Sequence, residues 1–224
     1  MELLSINVAR SIWLLPVNDL NPRGKSLFPI LAPLVQKYNF LKFPQGPELT
    51  GSPTSFKFDD GLYTTVQGVP LRVGLTVYAD GFVADTRSST ADTDAFLHDV
   101  LTWLSDTFGL RPYHEILRRR GYLSEAYVRF PASLNEVNPA FGDFRTMLAG
   151  HSILGSDVPY HVTGITFGQD PARGGGAPSF RLERAETAHF EEGRYFSTAQ
   201  LQTEIHLHLL DILESIILGN PYQA

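Results

Sequence analysis

The sequence predicts an α+β fold: an antiparallel sheet with helices packed mainly on one face and a long helix at the C-terminus. Three observations lead there. Thr54–Thr86 reads as an antiparallel meander, Thr90–Phe108 as an amphipathic helix fed directly by it, and the stretch from Ser197 as a helix with a wide apolar stripe. The pattern along the chain gives about six to eight strands in one domain over residues 1–224.

In the meander, Asp60-Gly61 separates Ser55–Phe58 from Leu62–Val66, and Gln67-Gly68 and Asp80-Gly81 mark two further turns. Asp-Gly is a hairpin signal because a type I′ turn needs positive φ at both central residues. Leu71, Val73, Leu75 and Val77 alternate with Arg72, Gly74, Thr76 and Tyr78, the mark of a strand with one wet face. Phe82–Asp85 pairs back across the last turn. Ser89 or Thr90 then caps a helix whose Phe96, Leu97, Val100, Leu101, Leu104 and Phe108 recur at helical spacing, and Gly109 ends it.

The remaining elements follow in order. Ser11–Val17 is a strand whose continuous apolar character predicts burial on both faces or an interface. Asn18–Lys25 is a loop, Ser26 caps a helix reaching Tyr38 with Pro33 inside it, and Phe40–Pro53 is a connector. A short helix opens at Arg111-Pro112 and ends at Gly121, with Arg118-Arg119-Arg120 in its last turn. Tyr122–Phe130 is a strand. Pro139–Ala149 is a helix with Phe141, Phe144 and Leu148 on one face and Gly150 as its stop. Tyr160–Phe167 and Ser179–Glu186 are strands around a glycine-rich loop. Ser197, with Gln200 in the capping-box position, opens the last helix, and Gly219-Asn220-Pro221 closes it. No internal repeat is visible. A long C-terminal helix on a curved sheet is similar to the helix-grip ligand-binding folds, from which the helix over Thr90–Phe108 departs.

Composition narrows the function classes. The chain is 43% hydrophobic with 15 Phe and 9 Tyr, ample for a core, and its net charge of −6 argues against a general binder of nucleic acid or anionic membrane. It has no cysteine, which removes thiol nucleophiles and Cys-based zinc sites and fits a reducing compartment. Without a signal-peptide pattern or a long uncharged apolar run, a soluble, cytoplasmic protein is expected.

No catalytic motif is complete. Gly150-His151-Ser152 resembles the first half of the α/β-hydrolase nucleophile elbow, but Leu154 stands where glycine is required and a helix precedes the serine. His206 and His208 are two apart on a helix and face different ways. Glu186 and His189, with Glu191 and Glu192 nearby, occur once, so neither a metal nor a cofactor is expected. His161 alternates within a strand. Arg87, Ser88 and Ser89 form an anion-binding candidate at a helix N-terminus, where Asp92 and Asp94 oppose a phosphate. Gly168–Gly176 with Arg173 lacks the Gly-Lys-Ser/Thr of a phosphate loop, and the arginine run suits a helix C-terminus.

The reading of function is therefore a non-catalytic subunit that acts through a protein partner or self-association. Its interface candidates are Leu209, Ile212, Leu213 and Ile216 in the C-terminal stripe, which is wider than one sheet surface needs. The alternatives are a small-ligand binder with an apolar cavity between sheet and helix, and a serine hydrolase using Ser152 with a histidine.

Overall fold

The computed structural model describes residues 1–24, 28–45, 54–151, 159–170, 172, 179–185 and 188–220. In chain order these form β1 (Glu2–Leu14), α1 (Val17–Leu20), α2 (Phe28–Tyr38), β2 (Ser55–Thr64), β3 (Pro70–Tyr78), β4 (Gly81–Thr86) and α3 (Thr90–Phe108). There follow β5 (Arg119–Arg129), α4 (Phe141–Gly150), β6 (Gly164–Phe167), β7 (Phe180–Arg184), β8 (Arg194–Ala199) and α5 (Thr203–Ile217). The strands make an eight-stranded antiparallel sheet in the order β2-β3-β4-β1-β5-β8-β7-β6. The fold is α+β with a long C-terminal helix.

The chain packs as two compact units. The first comprises residues 6–124 with 200–203. Its meander pairs Val77 with Phe82 and Leu75 with Ala84, and β4 pairs with β1 so that Trp13 faces Phe82 across the ladder. Alternate residues of each strand point to one buried face: Ala9, Ser11 and Trp13 of β1, Val73 and Leu75 of β3, Phe82 and Ala84 of β4. Helix α3 lays Phe96, Leu97, Val100 and Leu101 on that face, and Phe96 meets Tyr38 edge-on at 5.1 Å and Tyr63 at 5.4 Å. Ser89 caps α3 by accepting the Asp92 N–H, and Gly109 closes it with φ 64°. Polar groups in this interior are satisfied. The Ser11 and Thr93 hydroxyls bond at 2.7 Å, and Thr90 and Thr203 each donate a backbone N–H to the other's hydroxyl, at 3.1 and 2.9 Å.

The second unit comprises residues 1–5, 125–199 and the chain from Glu204. Leu182 pairs with Ser197 across β7 and β8, and both are buried with Tyr195, Leu210 and His206. The sharp entry to β8 needs glycine: Gly193 has φ 58°, and a Cβ there would run into the Phe130 carbonyl oxygen.

Apart from the four-residue α1 of the first, each unit runs through the same described strands and α-helices: a strand, a helix, three meandering strands and a final helix. The neighbours also agree, β2-β3-β4-β1 in one unit and β6-β7-β8-β5 in the other. Helices α2 and α4 open at Phe28 and Phe141, β4 and β8 at Gly81 and Arg194, α3 and α5 at Thr90 and Thr203. All three pairs are 113 residues apart.

Several boundaries differ from the sequence expectation. Asp60-Gly61 is not a hairpin turn but a bulge within β2, between Phe58 and Gly61. Asp60 takes φ 56°, and Gly61 gives way to the Phe40 ring, so the positive φ that suggested a turn serves a local kink. β1 is far longer than Ser11–Val17 and alternates rather than burying both faces, because Ser11 is one of its inward residues. The helix expected over 112–120 is only a turn of 3₁₀ helix at Tyr113–Glu115, and Arg119, Arg120 and Gly121 belong to β5. The strand expected over Tyr160–Phe167 shortens to β6, leaving His161 outside it. Ser197 does not cap the last helix. It lies in β8, whose inward Tyr195, Ser197 and Ala199 carry too little apolar character to read as a strand.

Candidate functional site

A cavity of about 430 Å³ lies within the first unit, between the inward face of the meander and three helices. The period-2 pattern of the strands supplies its floor from Phe56, Phe58, Leu75, Val77 and Phe82. Its walls are Val17 and Leu20 of α1, Ile30, Leu31 and Leu34 of α2, and Val100 and Leu104 of α3, with Leu110 beyond. Among the described residues Asn21 is the one polar lining residue. The volume falls in the range of small-molecule sites. Its described lining offers shape and apolar contact.

Two polar constellations are built differently. In the first unit the Asp94 carboxylate accepts from the Trp13 indole N–H at 2.7 Å and the Tyr122 hydroxyl at 3.0 Å, with the Arg120 guanidinium 4.0 Å away and stacked 4.3 Å over the Trp13 ring. His98, one turn along α3, bonds the Tyr113 hydroxyl at 2.7 Å. The carboxylate is held from three sides, which suits an anchor between α3 and the strands. Asp94 and His98 stand four apart on one helix and so share a face, the trace this cluster leaves in the sequence.

In the second unit the His206 Nε2 lies 2.8 Å from the Ser197 hydroxyl oxygen, both side chains fully buried. The pair resembles a nucleophile and its base but is polarised the other way. Ser197 gives its only proton to the Arg181 carbonyl at 2.8 Å, so it accepts from His206 Nε2–H. A serine activated for attack would donate to the imidazole. Burial holds His206 neutral, with its pKa pushed down to about 4.

The residues singled out in the sequence are spread over both units. Ser88 and Ser89 donate to the Asp92 carboxylate at the start of α3, so a side-chain anion meets the hydroxyls there, and Arg87 is exposed beside them. Ser152 and Glu186 lie outside the described residues, and His151 follows α4 at the surface. His189 caps the 3₁₀ turn Phe190–Glu192 through Glu192. No group of three or more potential metal ligands occurs among the described residues. Of the interface candidates, Leu209 and Ile216 are exposed, and Ile212 and Leu213 are half-buried. No helix among the described residues is long and apolar enough to cross a membrane. Comparison with models of known protein families and with curated proteins gives no match to this chain.

Proposed function

We propose that this protein binds a small apolar molecule in the cavity of its first unit. The observation that carries the reading is a 430 Å³ space walled almost wholly by aliphatic and aromatic side chains. Apolar clefts of this size are the usual form of a small-molecule site, where most of the ligand's surface is taken out of water. A chain free of cysteine fits a reducing, cytoplasmic setting for it. Val100→Phe should fill the space. An apolar fluorescent probe such as a naphthalene derivative is expected to bind the wild type saturably, and Val100→Phe to weaken it roughly tenfold or more while the fold survives. Equal binding by both proteins would place the probe elsewhere and remove the reading.

A second reading rests on a different observation. Phe144 and Met147 of α4 and Ile205, Leu209 and Ile216 of α5 are all exposed large apolar side chains. Such surface is typical of protein contacts, and self-association through α5 follows from it. Light scattering is then expected to give an oligomer for the wild type and a folded monomer for Ile212→Glu. A monomeric wild type at high concentration ends this reading and leaves the cavity reading untouched.

A further inference from the structure

Helices α2 and α4 are counterparts in the two units, and they are seated the opposite way round. In α2, Leu34 and Tyr38 are buried and Leu31 and Val35 are half-buried, so the apolar side lies inward. The positions 113 residues on are Met147, His151, Phe144 and Leu148, and all four are exposed. The half-buried positions of α4 are Gly142, Arg145 and Ala149, which share one side of the helix, and the apolar side looks out. Clustered apolar residues on a surface mark a contact.

The last helices of the two units differ in the same sense. Phe96 of α3 is fully buried where Tyr38 of α2 meets it edge-on at 5.1 Å, and Trp103 lies edge-on to the same tyrosine at 6.4 Å. Their counterparts on α5 are Leu209 and Ile216, which are 37% and 56% exposed. The second unit therefore exposes both sides of a contact that the first unit makes: the α2-type side on α4 and the α3-type side on α5. The charged members of that contact are gone. The first unit pairs Lys37 with Asp99 at 2.7 Å, and the second has Gly150 and Ile212 in those places. Losing the ion pair while keeping the apolar residues suits surfaces that meet protein rather than water, since charges are depleted at the centre of protein contacts.

We propose that α4 of one copy packs on α5 of a second copy, and α5 of the first on α4 of the second. The pairing rests on the self-association through α5 described above and names the surface that α5 meets. In the first unit a face like that of α5 is covered by a helix like α4: α2 lies on α3 through Tyr38, whose hydroxyl also donates to Asp99 at 2.6 Å. The α4 of the same chain does not serve for α5. With its apolar side outward it would have to turn about its axis and lift Gly142, Arg145 and Ala149 away from the unit. Two copies related by a two-fold axis cover all four faces as they stand, the closed arrangement open to a self-complementary surface.

The chain has no cysteine, so an introduced thiol reports its own contacts alone. His151→Cys and Leu209→Cys fall at the counterparts of Tyr38 and Phe96, which touch in the first unit. The two full-length variants are mixed, left to exchange and treated with a short bismaleimide. Light scattering is expected to give twice the chain mass for the wild type. The mixture is expected to give a cross-linked dimer with one chain of each variant, and either variant alone several-fold less product. Met147→Glu changes a residue exposed on the single chain, and it is expected to halve the mass while the far-UV circular dichroism stays the same. A wild-type dimer in which Leu209→Cys chains link to one another and not to His151→Cys overturns the pairing and leaves self-association through α5 standing. A wild type that stays monomeric at high concentration overturns both and hands the two faces to a partner of another kind.

Discussion

Phe96→Ala is expected to lower the stability of the first unit by roughly 3–5 kcal/mol, the range for removing a fully buried phenylalanine. Phe96 has no solvent exposure and is enclosed by Tyr38 from α2 and Tyr63 from β2. Tyr38 is itself tied down. The Tyr38 hydroxyl donates to Asp99 at 2.6 Å, and Lys37 pairs with the same carboxylate at 2.7 Å, so α2 is clamped to α3 at the point where Phe96 enters. A clamped surround collapses little into the hole, which keeps the cost at the upper end of the range. The loss is read as a shift in the urea midpoint at unchanged slope. Phe144→Ala is the comparison: that ring is 57% exposed, and its removal should change stability by no more than about 0.5 kcal/mol. Similar losses at the two positions would mean that the packing around Phe96 is wrong.

The contrast between Phe96 and Phe144 also explains what the sequence could reveal. The first unit announces itself because its strands and helix alternate at clean periods: Leu71, Val73, Leu75 and Val77 on one face of β3, Phe96, Leu97, Val100 and Leu101 on one face of α3. Caps at Ser89 and Gly109 agree with those periods. In the second unit the same plan is written in other chemistry. Positions 113 residues apart are buried in each unit but differ in residue: Trp13 in the first where the second has Ala126, Thr93 where it has His206, and Leu101 where it has Glu214. Only a few positions keep their identity, among them Ser11 and Ser124, Thr90 and Thr203, Leu97 and Leu210. Size and polarity are traded between positions while burial is kept, so a repeat of elements leaves no repeat of letters. β8 is hidden in the same way: Ser197 reads as a helix cap in the sequence but is an inward strand residue bonded to His206.

The sites divide along the same line. The cavity's walls come from α1, α2, α3 and three strands, and no window of sequence spans them. The apolar stripe of α5, by contrast, lies on one helix and so shows as a period in one window of sequence.

His206 turns one of those disguised positions into a measurable property. Its ordinary pKa of 6.5 falls to about 4 in the folded chain because burial penalises the cation. The unfolded chain therefore takes up a proton on this ring that the folded chain refuses between those two values, and stability rises with pH across the window. The stability is complete above pH 6.5, falls as the pH drops through 6.5 toward 4, and loses no more from this group below that. The gap corresponds to roughly 3 kcal/mol at full extent. His161, also held low, adds in the same direction, and paired carboxylates such as Asp60 release their stabilisation further into acid. The His206 share is isolated by difference. Urea midpoints at several values between pH 7 and pH 4.5 are expected to fall steeply for the wild type and less steeply for His206→Gln, whose amide can still donate to Ser197 but cannot titrate. Parallel curves for the two proteins would show that the ring is reached by water and charges without cost, and the buried Ser197–His206 bond at 2.8 Å would then not describe the pair in solution.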